Sequence, residues 1–104
     1  MLTEKDYCDY DTCVALWSMG LIPHPYDNTD TDKLMAIISL YEAQKWLREE
    51  KNIHIEVLYR LATWTCKIYN LKNKEYIKGH TFFVSYEEAL SEGIKEVVRI
   101  LKEK

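Results

Sequence analysis

Between Ser39 and Leu101 the spacing of apolar residues changes twice, from a helical period to strict alternation and back. This switch constrains the fold more than any single residue does. In LYEAQKWLREEK, Leu40, Ala43, Trp46 and Leu47 recur three and four apart, which puts them along one side of a helix. In IHIEVLYRL the pattern alternates instead: Ile53, Ile55, Val57, Tyr59 and Leu61 interleave with His54, Glu56, Leu58 and Arg60. A strand turns successive side chains to opposite faces, so alternation marks one buried face and one wet face. TWTCKIYNL repeats the rhythm with Trp64, Cys66 and Ile68 inward, and EYIKGHTFFVS supplies a third strand in which Gly79 marks a bulge or bend. In SYEEALSEGIKEVVRIL the helical period returns, with Tyr86, Ala89, Leu90, Ile94, Val97, Val98 and Leu101 forming one stripe.

The boundaries are marked by polar residues. Ser39 and Ser85 each stand three residues before a glutamate, Glu42 and Glu88, which is the pattern of a capping box. Val84 is placed to staple onto Ala89. Asn52 can take the left-handed position that ends the first of these helices. Gly93 lies on the apolar stripe of the last helix, where glycine costs about 1 kcal/mol relative to alanine. Its presence implies that the sheet approaches the helix axis closely. The first hairpin connection, Leu61-Ala62-Thr63, has neither Gly nor Asn and leaves its turn type open; the second turns around Asn73.

Ahead of this core, CDYDTCVALWSMGL predicts a short helix capped by Asp9 or Asp11. Tyr10, Cys13, Val14, Trp17 and Leu21 share one face, and Gly20 stops the helix so that Leu21 folds back on Leu16. IPHPYDNTDTD is a mobile loop, and the apolar run KLMAII either opens the next helix or makes a short strand over 34–38, the reading favoured here. The fold class is therefore α+β: an antiparallel sheet of three strands, or four if 34–38 pairs, with helices packed mainly on one face and a core order of α-β-β-β-α. The chain of 104 residues reads as one domain, with an N-terminal portion over 1–38 and the core over 39–104. The second face of the sheet is left open to water or to a partner.

Composition removes several function classes. The net charge of −3 disfavours nucleic acid, which asks for a basic excess. No apolar run is long enough to span a bilayer, and MLTEKDYCDYD lacks a signal core, so the expected location is cytoplasmic. Cys8, Cys13 and Cys66 make an odd set, read as free thiols in a reducing compartment, with Cys13 and Cys66 buried and Cys8 exposed. Metal sites fail on spacing: His24, His54 and His80 stand apart from the thiols, and DNTDTD puts Lys33 and Ser39 where a calcium loop needs Gly and Glu. Cys66 faces inward and His54 outward, so they do not make a nucleophile and base, and no glycine-rich phosphate loop exists. No catalytic residue, metal or cofactor is assigned. An enzyme using exposed Cys8 or a cleft beside residues 27–32 is the remotest alternative.

The open face is the candidate site. It gathers Leu58, Arg60, Lys67 and Tyr69, a mixture suited to a protein partner, to self-association, or to weak single-strand nucleic-acid binding as the runner-up. The element order resembles the layout of the double-stranded RNA-binding domain, in topology only. That fold grips phosphate with a basic cluster opening its last helix, where this chain has Tyr86, Glu87 and Glu88. The stretches YEAQKWLREEKNIHIEV and SYEEALSEGIKEVVRIL resemble segments of small uncharacterised proteins encoded by bacterial phages and prophages, over roughly Ser39 to Leu101. That resemblance implies a small intracellular accessory protein and carries no activity with it. The expected function is a non-enzymatic accessory or protein-interaction module.

Overall fold

A computed structural model describes residues 4–21 and 38–103. Strands β1 (Ile53–Arg60), β2 (Thr63–Asn70) and β3 (Glu75–Phe83) form an antiparallel meander in the order β1-β2-β3. Helices α1 (Tyr10–Ser18), α2 (Leu40–Glu50) and α3 (Tyr86–Lys102) complete an α+β fold, and the core order α-β-β-β-α is as expected. A 3-10 turn, Glu4–Asp6, precedes them. Register explains which face is inward. Ile55 pairs with Ile68 and Val57 with Cys66, and this row meets α3. Ile55, Cys66, Ile68, Leu90, Ile94 and Val97 are fully buried together with Leu16, Ile38, Leu40 and Leu47.

Gly93 is where α3 comes down close onto the sheet. A Cβ built there would lie 2.7 Å from Ile55 Cγ2 and 3.6 Å from Cys66 Cβ and Sγ. The helix thus gives up propensity to bring its axis down onto the sheet, as its position on the stripe implied. Both serine caps form: Glu42 N donates to Ser39 Oγ at 3.0 Å and Glu88 N to Ser85 Oγ at 3.1 Å. The stapling of Val84 onto Ala89 does not occur, because Val84 is 84% exposed while Ala89 is buried. Asn52 takes the left-handed conformation at φ +56°, directly after α2.

Helix α1 is capped by Asp9, whose Oδ1 accepts from Thr12 N at 2.8 Å. It ends as a Schellman motif: Leu21 N donates to Leu16 O and Gly20 N to Trp17 O, both at 3.0 Å, with Gly20 at φ +110°. Its buried side differs from expectation. Thr12, Cys13, Ala15 and Leu16 are inward, whereas Tyr10 and Val14 are exposed. The small side chains of Thr12 and Ala15 let α1 settle against α3, and Lys95 of α3 reaches Asp9 at 3.3 Å. A count of large apolar residues cannot see an interface built on small ones. The expected mobile loop and residues 34–37 of the expected short strand lie outside the described residues. Ile38 is described and fully buried, its carbonyl accepting from Cys8 N at 2.9 Å, and Ser39 bridges to Tyr7.

Candidate interaction face

The β1–β2 connection is a two-residue turn in which Leu61 (φ +51°) and Ala62 (φ +63°) are both left-handed, between the paired Arg60 and Thr63. These are the dihedral signs of a type I′ turn, which suits the twist of a hairpin and normally carries Asn-Gly. Leucine there costs about 1–2 kcal/mol, because its Cβ crowds the following carbonyl. Leu61 is 95% exposed, so no burial offsets that strain within the described residues.

Across β2, the third strand is irregular at the same end. Cys66 pairs with His80 and Trp64 with Phe83, so Thr81 and Phe82 together stand opposite Thr65 alone. This is a bulge, and its extra residue, Phe82, is left-handed at φ +71° and 83% exposed. Thr63 Oγ1 donates to Phe83 O at 3.2 Å and holds the strand at the bulge. A second irregularity lies between the Ile68 and Tyr69 pairings. Gly79, expected to mark a bulge or bend, is not at either irregularity: it is paired with Lys67 and leaves room for the Tyr76 ring, since a Cβ at Gly79 would meet Tyr76 Oη at 2.5 Å.

Leu58, Arg60, Lys67 and Tyr69 all lie on the face turned away from the helices, as the pairings Leu58 with Thr65, Arg60 with Thr63, Glu56 with Lys67 and His54 with Tyr69 require. They are not one cluster. Tyr69 belongs to an aromatic group at the far end, where its hydroxyl donates to Glu56 Oε1 at 3.3 Å and its ring meets Tyr76 edge-on at 5.7 Å. Leu58 is half-buried. Arg60 and Lys67 instead line a cleft of about 260 Å³ with Leu61, Thr63, Thr65, Thr81 and Phe82. The sequence reading missed Leu61, Phe82 and Val84. It placed Leu61 among the inward residues of a strand, but the strand ends at Arg60 and Leu61 enters the turn. A bulge without glycine leaves no mark in composition. Tyr59 is also 61% exposed although it is on the helix side, because the sheet extends past its cover there; its ring packs on Trp64, which meets Tyr86 in turn.

Charge separates this cleft from the other side of the molecule. Among the described residues, the ion pairs are Lys78–Glu96, Lys95–Asp9, Lys95–Glu92, Arg99–Glu96 and Arg99–Glu103, all involving α3. Arg60 and Lys67 have no carboxylate within pairing distance among the described residues. A larger cleft of about 330 Å³ between β3 and α3 is lined by His80, Phe83, Glu92, Lys95, Glu96 and Arg99, but its cations are already neutralised by its own acids.

The cysteines are free and shielded. Cys8 is partly buried rather than exposed, and burial, with Cys13 and Asp9 nearby, pushes its thiol up to about 12. Burial also raises Cys13 and Cys66. A thiolate nucleophile needs a depressed pKa, so all three shifts run the wrong way for one. No group of three His, Cys, Asp or Glu side chains is placed to hold a metal among the described residues. Among them, too, no helix is long and apolar enough to cross a membrane. His54 Nδ1 is buried without a hydrogen-bond partner, at the end of the face away from the cleft. The chain matches no family model, no curated protein and no solved structure.

Proposed function

We propose that this protein is a non-enzymatic interaction module that docks a protein partner, or a second copy of itself, at the end of the sheet carrying Leu61, Phe82 and Val84. The observation behind this reading is that three large apolar side chains, 95%, 83% and 84% exposed, stand out at one end of the sheet, two of them on left-handed backbone. Single exposed apolar residues are ordinary, but a cluster of them at strained positions is characteristic of contact sites. An accessory role in a mobile element is the setting that the likeness to phage and prophage proteins implies.

The test is a partner recovery and sedimentation experiment comparing the natural chain with the variant Leu61→Ser, Phe82→Ser, Val84→Ser. All three positions face solvent, so unfolding temperature is expected to stay within a few degrees. Loss of partner recovery or of self-association in the variant supports the reading; equal behaviour of the two proteins sinks it.

A second reading is favoured by the unpaired Arg60 and Lys67: weak binding of single-stranded nucleic acid across the open face. It predicts a salt-sensitive affinity for an oligothymidine that falls when both cations are neutralised.

A further inference from the structure

We infer that the partner segment seated in the Arg60–Lys67 cleft is an acidic amphipathic stretch of protein, placing a carboxylate between the two cations and an apolar side chain against Leu61 and Phe82. This rests on the interaction-module reading and adds the chemistry of the partner. The first argument is charge complementarity. In a chain with an acidic excess, this cleft is lined by two cations and no carboxylate, and neither Arg60 nor Lys67 makes an ion pair among the described residues, whereas Lys95 and Arg99 of α3 are paired with acids. They also share the rim of one cleft. The nearest carboxylate on that face by register, Glu56, opposite Lys67, is engaged by the Tyr69 hydroxyl.

Size is the second argument. A cleft of about 260 Å³ is below the usual range of roughly 300–1,000 Å³ for small-molecule sites, and suits one or two side chains rather than a cofactor. The lining is the third. Thr63, Thr65 and Thr81 offer hydroxyls to a carboxylate, while Leu61 and Phe82 offer apolar area that a sugar–phosphate backbone would not use. The tyrosines of this face are committed elsewhere, Tyr69 to Glu56 and to Tyr76, and Tyr76 over Gly79, which leaves Phe82 as the one aromatic ring lining the cleft, short of the successive stacking platforms a single strand uses. An arginine can grip a carboxylate through two parallel N–H donors, so Arg60 is assigned the directional contact and Lys67 the longer-range charge.

The experiment uses the full chain and four fluorescent probes in anisotropy titrations: a peptide alternating aspartate and leucine, the same peptide with asparagine for aspartate, the same with serine for leucine, and an oligothymidine of equal length. The Asp–Leu peptide is expected to bind best, and Arg60→Gln with Lys67→Gln to weaken it about tenfold. Glutamine is used because glutamate at Lys67 would repel Glu56. Leu61→Ser is expected to weaken the Asp–Leu peptide and leave the serine-containing one unchanged.

Equal binding of the aspartate and asparagine peptides overturns the acidic assignment while leaving the docking reading intact. So does peptide-independent self-association that is lost on Leu61→Ser. Tightest binding by oligothymidine overturns both. No response from any probe, with the amide spectrum of a folded protein, overturns the acidic assignment alone. In every variant, an unchanged amide spectrum separates lost contact from lost fold.

Discussion

At the scale of the residue, Leu61 carries the tension between stability and surface chemistry. A type I′ turn prefers Asn-Gly, and Leu61-Ala62 adopts the same dihedrals with two Cβ atoms in the way. Ala62→Gly should relieve part of that strain and stabilise the protein by about 0.5–1 kcal/mol, less than the full relief because glycine also loosens the unfolded chain. It should leave partner binding intact, since Leu61 is retained. Leu61→Asn should stabilise by a similar amount but weaken binding. Thermal unfolding beside the binding assay separates the two effects, and a fall in stability for Leu61→Asn would refute the account of the strain. Phe82 shows the same pattern within a bulge, exposed and left-handed without glycine.

At the scale of the element, α3 packs closely on the sheet at Gly93. Gly93→Ala raises helix propensity by about 1 kcal/mol, but its methyl would enter the 2.7 Å gap to Ile55 Cγ2. Overpacking of this kind costs about 1–3 kcal/mol, so a net loss of up to about 2 kcal/mol is expected in urea unfolding. Combining it with Ile55→Ala, which removes Cγ2 and with it the contact, should cost less than the sum of the two single changes. Independent, additive costs would show that Gly93 does not act through Ile55. Sheet edges follow a similar logic. Gln44 Nε2 donates to Ile55 O at 2.7 Å, while β3 is interrupted by two irregularities; both blunt pairing with a foreign strand.

At the scale of the whole molecule, Glu96 ties α3 to β3, accepting from Lys78 of β3 at 2.6 Å and pairing with Arg99 of its own helix. Hydrogen bonds from Arg99 and Lys78 hold its carboxyl down at about 2, below the ordinary 4.5. Its folded pKa is depressed, so its contribution is complete above about pH 4.5 and is lost as pH falls toward 2. Its partners are nearly half exposed, so screening reduces the contribution to about 1–2 kcal/mol. The stability gap between the natural chain and Glu96→Gln, measured by urea unfolding, should therefore be about 1–2 kcal/mol at pH 7 and close toward zero near pH 2. A gap independent of pH would mean that Glu96 acts through packing instead.

What could be read without coordinates was whatever depends on residues near one another in the chain. Period, caps and stops are local: the Ser39 and Ser85 caps, the Gly20 stop, left-handed Asn52 and the alternation through β1 and β2 each follow from a few neighbouring residues. The face holding Leu58, Arg60, Lys67 and Tyr69 followed from the same period-two rule, and the close approach at Gly93 from its place on a stripe. What required the tertiary structure was whatever depends on residues distant in the chain. The inner side of α1 depends on how near small residues can come to α3. The projection of Leu61, Phe82 and Val84 depends on a turn and a bulge whose backbone the hairpin's twist and pairing impose against local preference. The division of the open face into a tyrosine end and a cationic cleft depends on cross-strand neighbours that no count along one strand contains.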